Sequence, residues 1–462
     1  MLDLAWHDAV EHRLVWIGVL LVAAAVSLFT TLCFTAMFTA AASDPAAFST
    51  PYGRDVMLKM TSNLLFLSGI PAVLIVATVL STLTTQLGEV HALWRLAGAS
   101  PRQVIGVFTM QVVLACVTGS VVGGVIAVPF HDSAQRMMSR GSAVRLADQA
   151  GLSSVAGVLC SMLLVSLWGV LAGIRPAVRA SRTSPLTGRE ADRSAPPSRY
   201  RAFPALLFVA FVQIPVLVPL LMSTDDMARK APAEPALMGV VLALPAGWML
   251  VITLALGAPL YLGPVMRLWT ALPGLTRWTP WRVARHIAMS RATQSAATVI
   301  PLMMGIGMFA CFDMMTTCAR NITGPSGDPI NVFDGVLMLT PVGVIGAIGS
   351  AAVVFMASQR RIDDVTHLRI AGASPGASMA VFLSESVIYV ATAVLIALTS
   401  GVGMWALMSW SLSRWGRPVE LAGLDVTGSV TVALVGGAAT ILIVTSCGAL
   451  AWRRPLVTAS AT

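Results

Sequence analysis

Charged residues are scarce in this chain of 462 residues. Asp, Glu, Lys and Arg together make up only 11% of it, against about 25% in ordinary soluble proteins. The mean hydropathy is correspondingly high, at +0.80. So few charged side chains cannot cover the surface of a water-soluble globule, and lipid is therefore the expected solvent for much of the chain.

Several catalytic and binding motifs are also missing. The chain has no GxxxxGK[ST] phosphate-binding loop, so we do not expect it to hydrolyse ATP itself. Its six His are scattered without paired ligand spacing, which argues against a metal site. The six Cys form no CxxC pair and fit small buried core residues. The basic residues form no single patch, so nucleic acid is not an expected partner.

The chain does contain ten apolar runs, each long enough to cross a bilayer as a helix. The sequence therefore predicts an all-α polytopic membrane protein with about ten transmembrane helices. The predicted spans cover 14–42, 61–85, 104–130, 151–174, 203–223, 237–263, 293–317, 335–358, 377–408 and 428–452.

The basic residues in the connections predict the orientation. With the N-terminus inside, 20 of the 30 Lys and Arg fall in inside connections. This two-to-one excess indicates that both termini are cytoplasmic. The outside connections are all too short to fold as independent domains. The expected location is a bacterial cytoplasmic (inner) membrane.

Two inside connections share a sequence pattern. EVHALWRLAGASP at 89–101 follows the second predicted span, and DDVTHLRIAGASP at 363–375 follows the eighth, 274 residues later. The ends of the fourth and tenth spans, at 169–181 and 448–460, also match, with a spacing of 279 residues. We therefore predict two parallel four-helix repeats, related by an axis along the membrane normal, with an inserted helix pair between them.

Each shared segment is expected to end one helix and begin another. In the first copy, 86–97 can continue the second span as a short helix, and Gly98 suits the left-handed position that ends it. Ser100 is a good N-cap, and Pro101 suits the first position of the next helix. The second copy has Gly372, Ser374 and Pro375 at the same positions. Such stiffness suits a lever that transmits force, although an ordinary membrane-surface turn is the alternative for either copy alone.

These segments resemble the FtsX-like permease family, the membrane subunits of mechanotransmission-type ABC transporters. The family pattern is an Arg, an acid three residues later, and then Arg-hydrophobic-small-Gly-Ala before the next span. The second copy fits it, and the first departs at Gln86, where the Arg would be. The matching residues are Arg360, Asp363, Arg369, Ile370 and Gly372 in the second copy and Glu89, Arg95, Leu96 and Gly98 in the first.

The resemblance implies that a cytoplasmic ABC ATPase docks on two elbows, the first at Arg95–Arg102 and the second at Arg369–Gly376. ATP and Mg would be bound by that partner, in two copies per permease, and this chain would bind no cofactor. The residues that it implies in coupling are Glu89, Arg95, Leu96, Gly98, Ser100, Pro101, Arg102, Arg360, Asp363, Arg369, Ile370, Gly372, Ser374 and Pro375.

The resemblance also implies an amphipathic elbow helix before each four-span unit, for which Leu2 to Arg13 and Trp281 to Arg291 are candidates. The expected organisation then has six parts. These are an elbow helix at 1–13, a first four-span unit at 14–182, a linker at 183–202, an inserted two-span hairpin at 203–263, a linker with an elbow helix at 264–292, and a second four-span unit at 293–462.

Three polar residues inside predicted spans are further candidates. Glu385 lies where the family often carries a Glu, Gln111 is its equivalent in the first unit, and Asp313 lies near the outside end of its span. Acids within a membrane face a bundle interior or a watery cavity and are functional candidates by default. A structural hydrogen bond for Glu385 and an interfacial position for Asp313 are the alternatives.

The expected function is a permease subunit that couples ATP hydrolysis by its partner to movement or extrusion of a small amphipathic, lipid-like or antimicrobial substrate. Ten spans resemble the bacitracin-resistance type of permease. Those proteins carry a large extracytoplasmic domain after the seventh span, where this chain has only about 318–333. Two alternatives stay open: an ion-coupled secondary carrier with Glu385 and Asp313 as proton sites, and a non-transporting signalling or scaffold subunit that uses the same ATPase lever.

Overall fold

The computed structural model describes residues 13–43, 53–138, 150–181, 235–272, 277–290, 292–323, 332–356, 365–413 and 424–453. These residues form helices and turns, with no strand among them. Nine of the described helices are long and apolar enough to cross a membrane. The prediction of an all-α polytopic membrane protein is thus confirmed. The predicted fifth span at 203–223, the linker at 183–202 and nearly all of the elbow helix at 1–13 lie outside the described residues.

The chain divides into two compact units, and unit 1 comprises Met1–Ser194. Four of its helices are spans, two are short, and a 3₁₀ turn at Val128–Phe130 separates α4 from α5. The long helix α1 packs against α2, α4 and α6, while α6 also packs against α2 and α4. The helices are α1 (Arg13–Ala42), α2 (Gly53–Gln86), α3 (Gly88–Leu96), α4 (Pro101–Ala127), α5 (His131–Met138) and α6 (Ala150–Ser181).

Unit 2 comprises Ala195–Thr462. Here α9 packs against α10, α11 and α12, while α12 also packs against α10 and α11. These are the pairs found in unit 1, taken in the same chain order. Unit 2 adds α7, which packs on both α9 and α11, and α8, which packs on α11. The helices are α7 (Pro235–Thr270), α8 (Thr279–Ser290), α9 (Ala292–Thr323), α10 (Val332–Met356), α11 (Pro375–Ser413) and α12 (Thr427–Arg453).

Two glycines of α4 bring its backbone against α1. A Cβ at Gly123 would lie 2.1 Å from the carbonyl oxygen of Ala24, and one at Gly119 would lie 2.7 Å from Cβ of Ala23. No larger side chain fits at either position, so the small-xxx-small spacing sets how closely these spans approach. A displacement of α4 therefore meets α1 directly.

Buried hydroxyl groups join three spans of unit 1. Ser27 Oγ donates to the carbonyl oxygen of Ser120 at 3.0 Å and lies 2.9 Å from Ser161 Oγ. Thr30 Oγ1 lies 2.6 Å from the same Ser161 Oγ. Interhelical hydrogen bonds of this kind contribute about 0.6 kcal/mol each on average in a membrane protein. The cluster fixes the register of α1, α4 and α6.

The short helix α8 is held at the end of α7. Trp281 Nε1 donates to the carbonyl oxygen of Thr270 at 3.2 Å, and Arg285 Nε donates to Thr270 Oγ1 at 3.0 Å. Trp281, Ala284 and Ala288 are buried, while Arg282 and His286 are exposed. This helix occupies nearly the range predicted for the second elbow helix, and it has the two faces that such a helix needs.

Candidate functional site in the two capped elbows

The first elbow begins with a helix end closed by glycine. Gly98 has φ +91°, and its N–H donates to the carbonyl oxygen of Arg95 at 3.1 Å. The N–H of Ala99 donates to the carbonyl oxygen of Trp94 at 3.0 Å. These two bonds form a Schellman motif that satisfies the last carbonyls of α3. Arg95 Nη1 also donates to the carbonyl oxygen of Ala99, at 3.3 Å, across the outside of the turn.

The same elbow continues at once into a capped helix start. Gln103 N–H donates to Ser100 Oγ at 3.3 Å, and Ser100 N–H donates to Gln103 Oε1 at 2.8 Å. This is a capping box, in which two free donors of the helix start are satisfied reciprocally. Pro101 occupies the first helical position, where a missing N–H costs nothing. Both ends of the turn are therefore fixed by hydrogen bonds.

The second elbow has the same backbone path. Gly372 has φ +79°, and its N–H donates to the carbonyl oxygen of Arg369 at 2.9 Å. The N–H of Ala373 donates to the carbonyl oxygen of Leu368 at 2.9 Å, which completes the Schellman pair. Ser374 Oγ then accepts from the N–H of Ala377 at 3.2 Å. Among the described residues, Gly98 and Gly372 are the only two with positive φ.

One local detail differs from the prediction of a short helix that simply continues the second span. The chain bends at Leu87, between the end of α2 and the start of α3, where φ is −89° and ψ is 11°. The carbonyl oxygen of Leu87 still accepts from the N–H of His91 at 3.0 Å. The low helix propensity of Gly88, which follows, is consistent with a bend at this position. The bend gives α3 its own direction.

Each elbow is anchored to its unit through a buried phenylalanine. In unit 1, His91 is fully buried on the inner face of α3, with its ring centroid 6.1 Å from that of Phe108 on α4. In unit 2, Val365 belongs to a buried cluster with Phe382 on α11. The spacing of 274 residues relates 91 to 365 and 108 to 382, so the shared pattern contained a signal for these anchors that the sequence analysis missed.

The outer faces of the elbows carry exposed apolar side chains. Leu93 and Leu96 are each 62% exposed, and Ile370 is 76% exposed. A Cβ added at Gly98 or Gly372 would meet no heavy atom within 4 Å. Apolar side chains presented on a rigid turn suit a protein partner better than bulk water.

The remaining elbow candidates are placed as follows. Arg102 is exposed on the first turn of α4, and Arg95 is half-buried beneath the first elbow. Arg360 and Asp363 lie outside the described residues, as does the side chain of Glu89, so the proposed acid of each elbow stays a prediction.

The polar candidates inside the spans differ between the units. Gln111 and Glu385 are both buried at corresponding positions of α4 and α11. Tyr389 Oη donates to Glu385 Oε1 at 2.7 Å, one turn along the same helix. Ser295, at the start of α9, lies 3.5 Å from Tyr389 Oη and donates to the carbonyl oxygen of Ala288 at 2.8 Å. A chain of hydroxyl groups therefore links Glu385 to the junction of α8 and α9.

Asp313 closes the start of the last span. Its Oδ2 accepts from the N–H of Ser429 at 2.9 Å, in the first turn of α12. A carboxylate at a helix N-terminus is favoured by the helix dipole. Beside it, the hydrogen bonds of Thr427 hold the pKa of Asp425 below its usual value, and Arg320 acts in the same direction. The geometry gives Asp313 a cross-helix capping role.

One region of the chain matches a known family. The family described as FtsX-like permease C-terminal matches residues 62–185, a range that includes the first elbow, α4 and α6. Proteins of that family are membrane subunits of ABC transporters and typically partner with a cytoplasmic ABC ATPase. The second elbow lies outside the matched residues. No curated protein and no solved structure gives a significant match.

Proposed function

We propose that this chain is the permease subunit of an ABC transporter and that a separate cytoplasmic ATPase docks on its two elbows. The observation that carries the proposal is a pair of capped turns with the same backbone hydrogen bonds and exposed outer faces. The FtsX-like domain at 62–185 supports the proposal at the first elbow.

The likeness of the two units supports a duplicated permease. The same helix pairs pack in unit 1 and unit 2, and the elbow follows the second helix of the bundle in each. A chain with two such elbows needs only one copy per complex to receive two ATPase subunits. In this arrangement both elbows and both termini lie on the cytoplasmic side of a bacterial inner membrane.

Rigid turns allow a small movement at an elbow to reach the spans. The first elbow is continuous with α4 through Ser100 and Pro101, and α4 contacts the backbone of α1 at Gly119 and Gly123. A flexible loop would absorb a displacement of the ATPase, whereas a turn capped at both ends passes it to the span. Closure of the two ATPases on ATP would thus shift whole helices against each other, as in other rigid-body transitions.

The substrate proposed here comes from the bilayer. The connections predicted to lie outside are too short for a large binding domain, so the cargo must be reached from the spans themselves. This favours a small amphipathic, lipid-like or antimicrobial compound, moved or extruded at the expense of ATP bound by the partner.

A pair of matched double variants tests the elbow assignment. In Gly98→Val/Gly372→Val a β-branched residue must adopt positive φ, which strains both turns without any steric clash. In Gly106→Val/Gly376→Val the same side chain enters open space on ordinary helix backbone. The affinity-purified chain is assayed for a bound ABC ATPase, identified by mass spectrometry, and for ATP hydrolysis by the complex.

We expect the first variant to lose at least about tenfold of the bound ATPase activity, which corresponds to about 1.4 kcal/mol of coupling. The control variant should retain most of it. Equal retention in both variants would show that the elbows are not the docking sites. If the unaltered chain associates with no ABC ATPase, the permease function itself is wrong and the carrier alternative gains support.

A further inference from the structure

The corner between α7 and α8 concentrates positive charge that the coupling elbows do not use. Arg267 lies in the last turn of α7, Arg277 precedes α8, and Arg282 and Arg285 lie on α8. Arg285 Nη2 donates to the carbonyl oxygen of Arg267 at 3.3 Å, which brings both ends of the corner together. The sequence contains no Asp or Glu from 235 to 312, so no carboxylate nearby in the chain balances this charge.

Exposed apolar side chains lie beside these arginines. Leu268 is 81% exposed, Leu272 is 52% exposed and Trp278 is 49% exposed. The apolar stretch of α7 ends at Thr270, and that of α9 begins at Ser295. The corner between them therefore lies where two spans reach the same membrane surface. Trp and Leu next to Arg are typical of segments that rest in the lipid headgroup layer.

The corner is held in one geometry by buried contacts. Trp269 and Trp281 meet edge to face, with ring centroids 5.8 Å apart, and Trp269 Nε1 donates to Thr392 Oγ1 of α11 at 3.0 Å. Arg285 and Trp281 both bond to Thr270. The side chains of Arg267, Arg277 and Arg282 therefore project from a rigid platform rather than from a loose connection.

We propose that this corner is a binding site for the headgroup of an anionic phospholipid. Guanidinium groups present several N–H donors in a plane and are well matched to phosphate oxygens. Leu268, Leu272 and Trp278 lie beside them, where the glycerol and upper acyl chains of the same lipid would rest. These apolar neighbours favour a lipid over free phosphate. Because α8 packs on α11, a bound lipid also stabilises the contact between these two helices.

Native mass spectrometry of the purified full-length chain tests the site. The chain is released from mixed detergent micelles that contain a low fraction of phosphatidylglycerol, or of phosphatidylcholine with the same acyl chains. The test variant is Arg267→Gln/Arg277→Gln/Arg282→Gln, which leaves the Arg285 bonds to Thr270 intact. The matched control is Arg102→Gln/Arg175→Gln/Arg179→Gln, which removes three exposed arginines from unit 1.

We expect the unaltered chain to retain phosphatidylglycerol and not phosphatidylcholine. The test variant should retain it about tenfold less or weaker still, since each basic side chain at an anionic surface changes binding by about fivefold. The control should retain it nearly as well as the unaltered chain. An equal loss in the control would reduce the effect to general surface attraction and overturn the proposal.

Two further measurements keep the proposal open to refutation if the triple variant folds poorly. Leu272→Ser/Trp278→Ala keeps every arginine and should still lower phosphatidylglycerol retention by about two- to fivefold. Millimolar inorganic phosphate should not displace the lipid. Displacement by phosphate, or unchanged retention in the apolar variant, would identify a simple anion site instead of a lipid site.

Discussion

The first and second elbows end one helix and begin the next with the same set of backbone hydrogen bonds. In each, a glycine with positive φ closes a Schellman motif, a serine caps the following span, and a proline begins it. The side chains around these backbones differ. The first elbow has a full capping box and an Arg95 bond across the turn, whereas in the second Ser374 accepts a single bond from Ala377.

The anchors beneath the elbows differ in the same way. His91 meets Phe108 through an edge-to-face ring contact, while Val365 meets Phe382 through apolar packing alone. In the spans above them, Gln111 corresponds to Glu385, and only the second has a tyrosine hydroxyl one turn along its own helix. The shape of the turn is thus shared by both units, and the chemistry that supports it is not.

The largest expected effect comes from removing the anchors. Phe108→Ala and Phe382→Ala should each lower the free energy of unfolding by about 3 kcal/mol, because both rings are fully buried. Thermal denaturation of the purified chain in detergent measures the change, with the exposed Phe66→Ala as control. A loss below about 1 kcal/mol in one unit would break the equivalence of the two anchors.

Alanine at the positive-φ glycines should have the next largest effect. Gly98→Ala and Gly372→Ala are each expected to cost about 1 to 2 kcal/mol, because a Cβ disfavours the left-handed conformation and no contact compensates. Gly106→Ala and Gly376→Ala, on helix backbone in open space, should be neutral or slightly stabilising. The same thermal measurement decides, and unequal costs at Gly98 and Gly372 would mean that the turns only look alike.

Differences between the caps should be smaller and should distinguish the elbows. Ser100→Ala is expected to cost about 1 kcal/mol because it removes one half of a reciprocal pair. Ala377→Gln should introduce the missing half in the second elbow and stabilise it by a few tenths of a kcal/mol, roughly. A double-mutant cycle on Ser374 and Ala377 tests this, and zero coupling between them would show that the second turn cannot form a capping box.

The smallest effect is expected at Tyr389. Tyr389→Phe removes the hydrogen bond to Glu385 and should cost about 0.6 kcal/mol, the average for such bonds in a membrane protein. Glu385→Gln keeps an acceptor for the same hydroxyl and should cost less. A much larger loss in Glu385→Gln, measured by the same denaturation, would mean that the negative charge itself matters, in favour of a coupling or proton-carrying role.

Much of each elbow could be predicted because its geometry is local. Gly98, Ser100 and Pro101 act on backbone groups within four residues, so the chemistry of the chain already specifies a helix stop and a helix start. The spans could be predicted for the same reason, since composition alone determines that they prefer lipid.

Other features could not be predicted because their partners are far away in sequence. Asp313 finds the N–H of Ser429, and Ser27 finds Ser120 and Ser161, at separations of about a hundred residues. The sequence analysis placed Asp313 near a span end but had no means of choosing its partner. The bend at Leu87 and the ring contact between His91 and Phe108 were missed likewise, because they depend on how α3 packs on the bundle.

The sequence by itself determined that this chain is a helical membrane protein and that it makes two glycine-closed, serine-capped turns. Those properties follow from transfer free energies and from backbone conformations that single residues control. Only the tertiary structure decided which helices pack together, which polar groups cap a distant helix, and where four arginines converge at the end of α7. Such choices depend on contacts between segments far apart in the chain, and a contact can be identified only once both of its partners are in place.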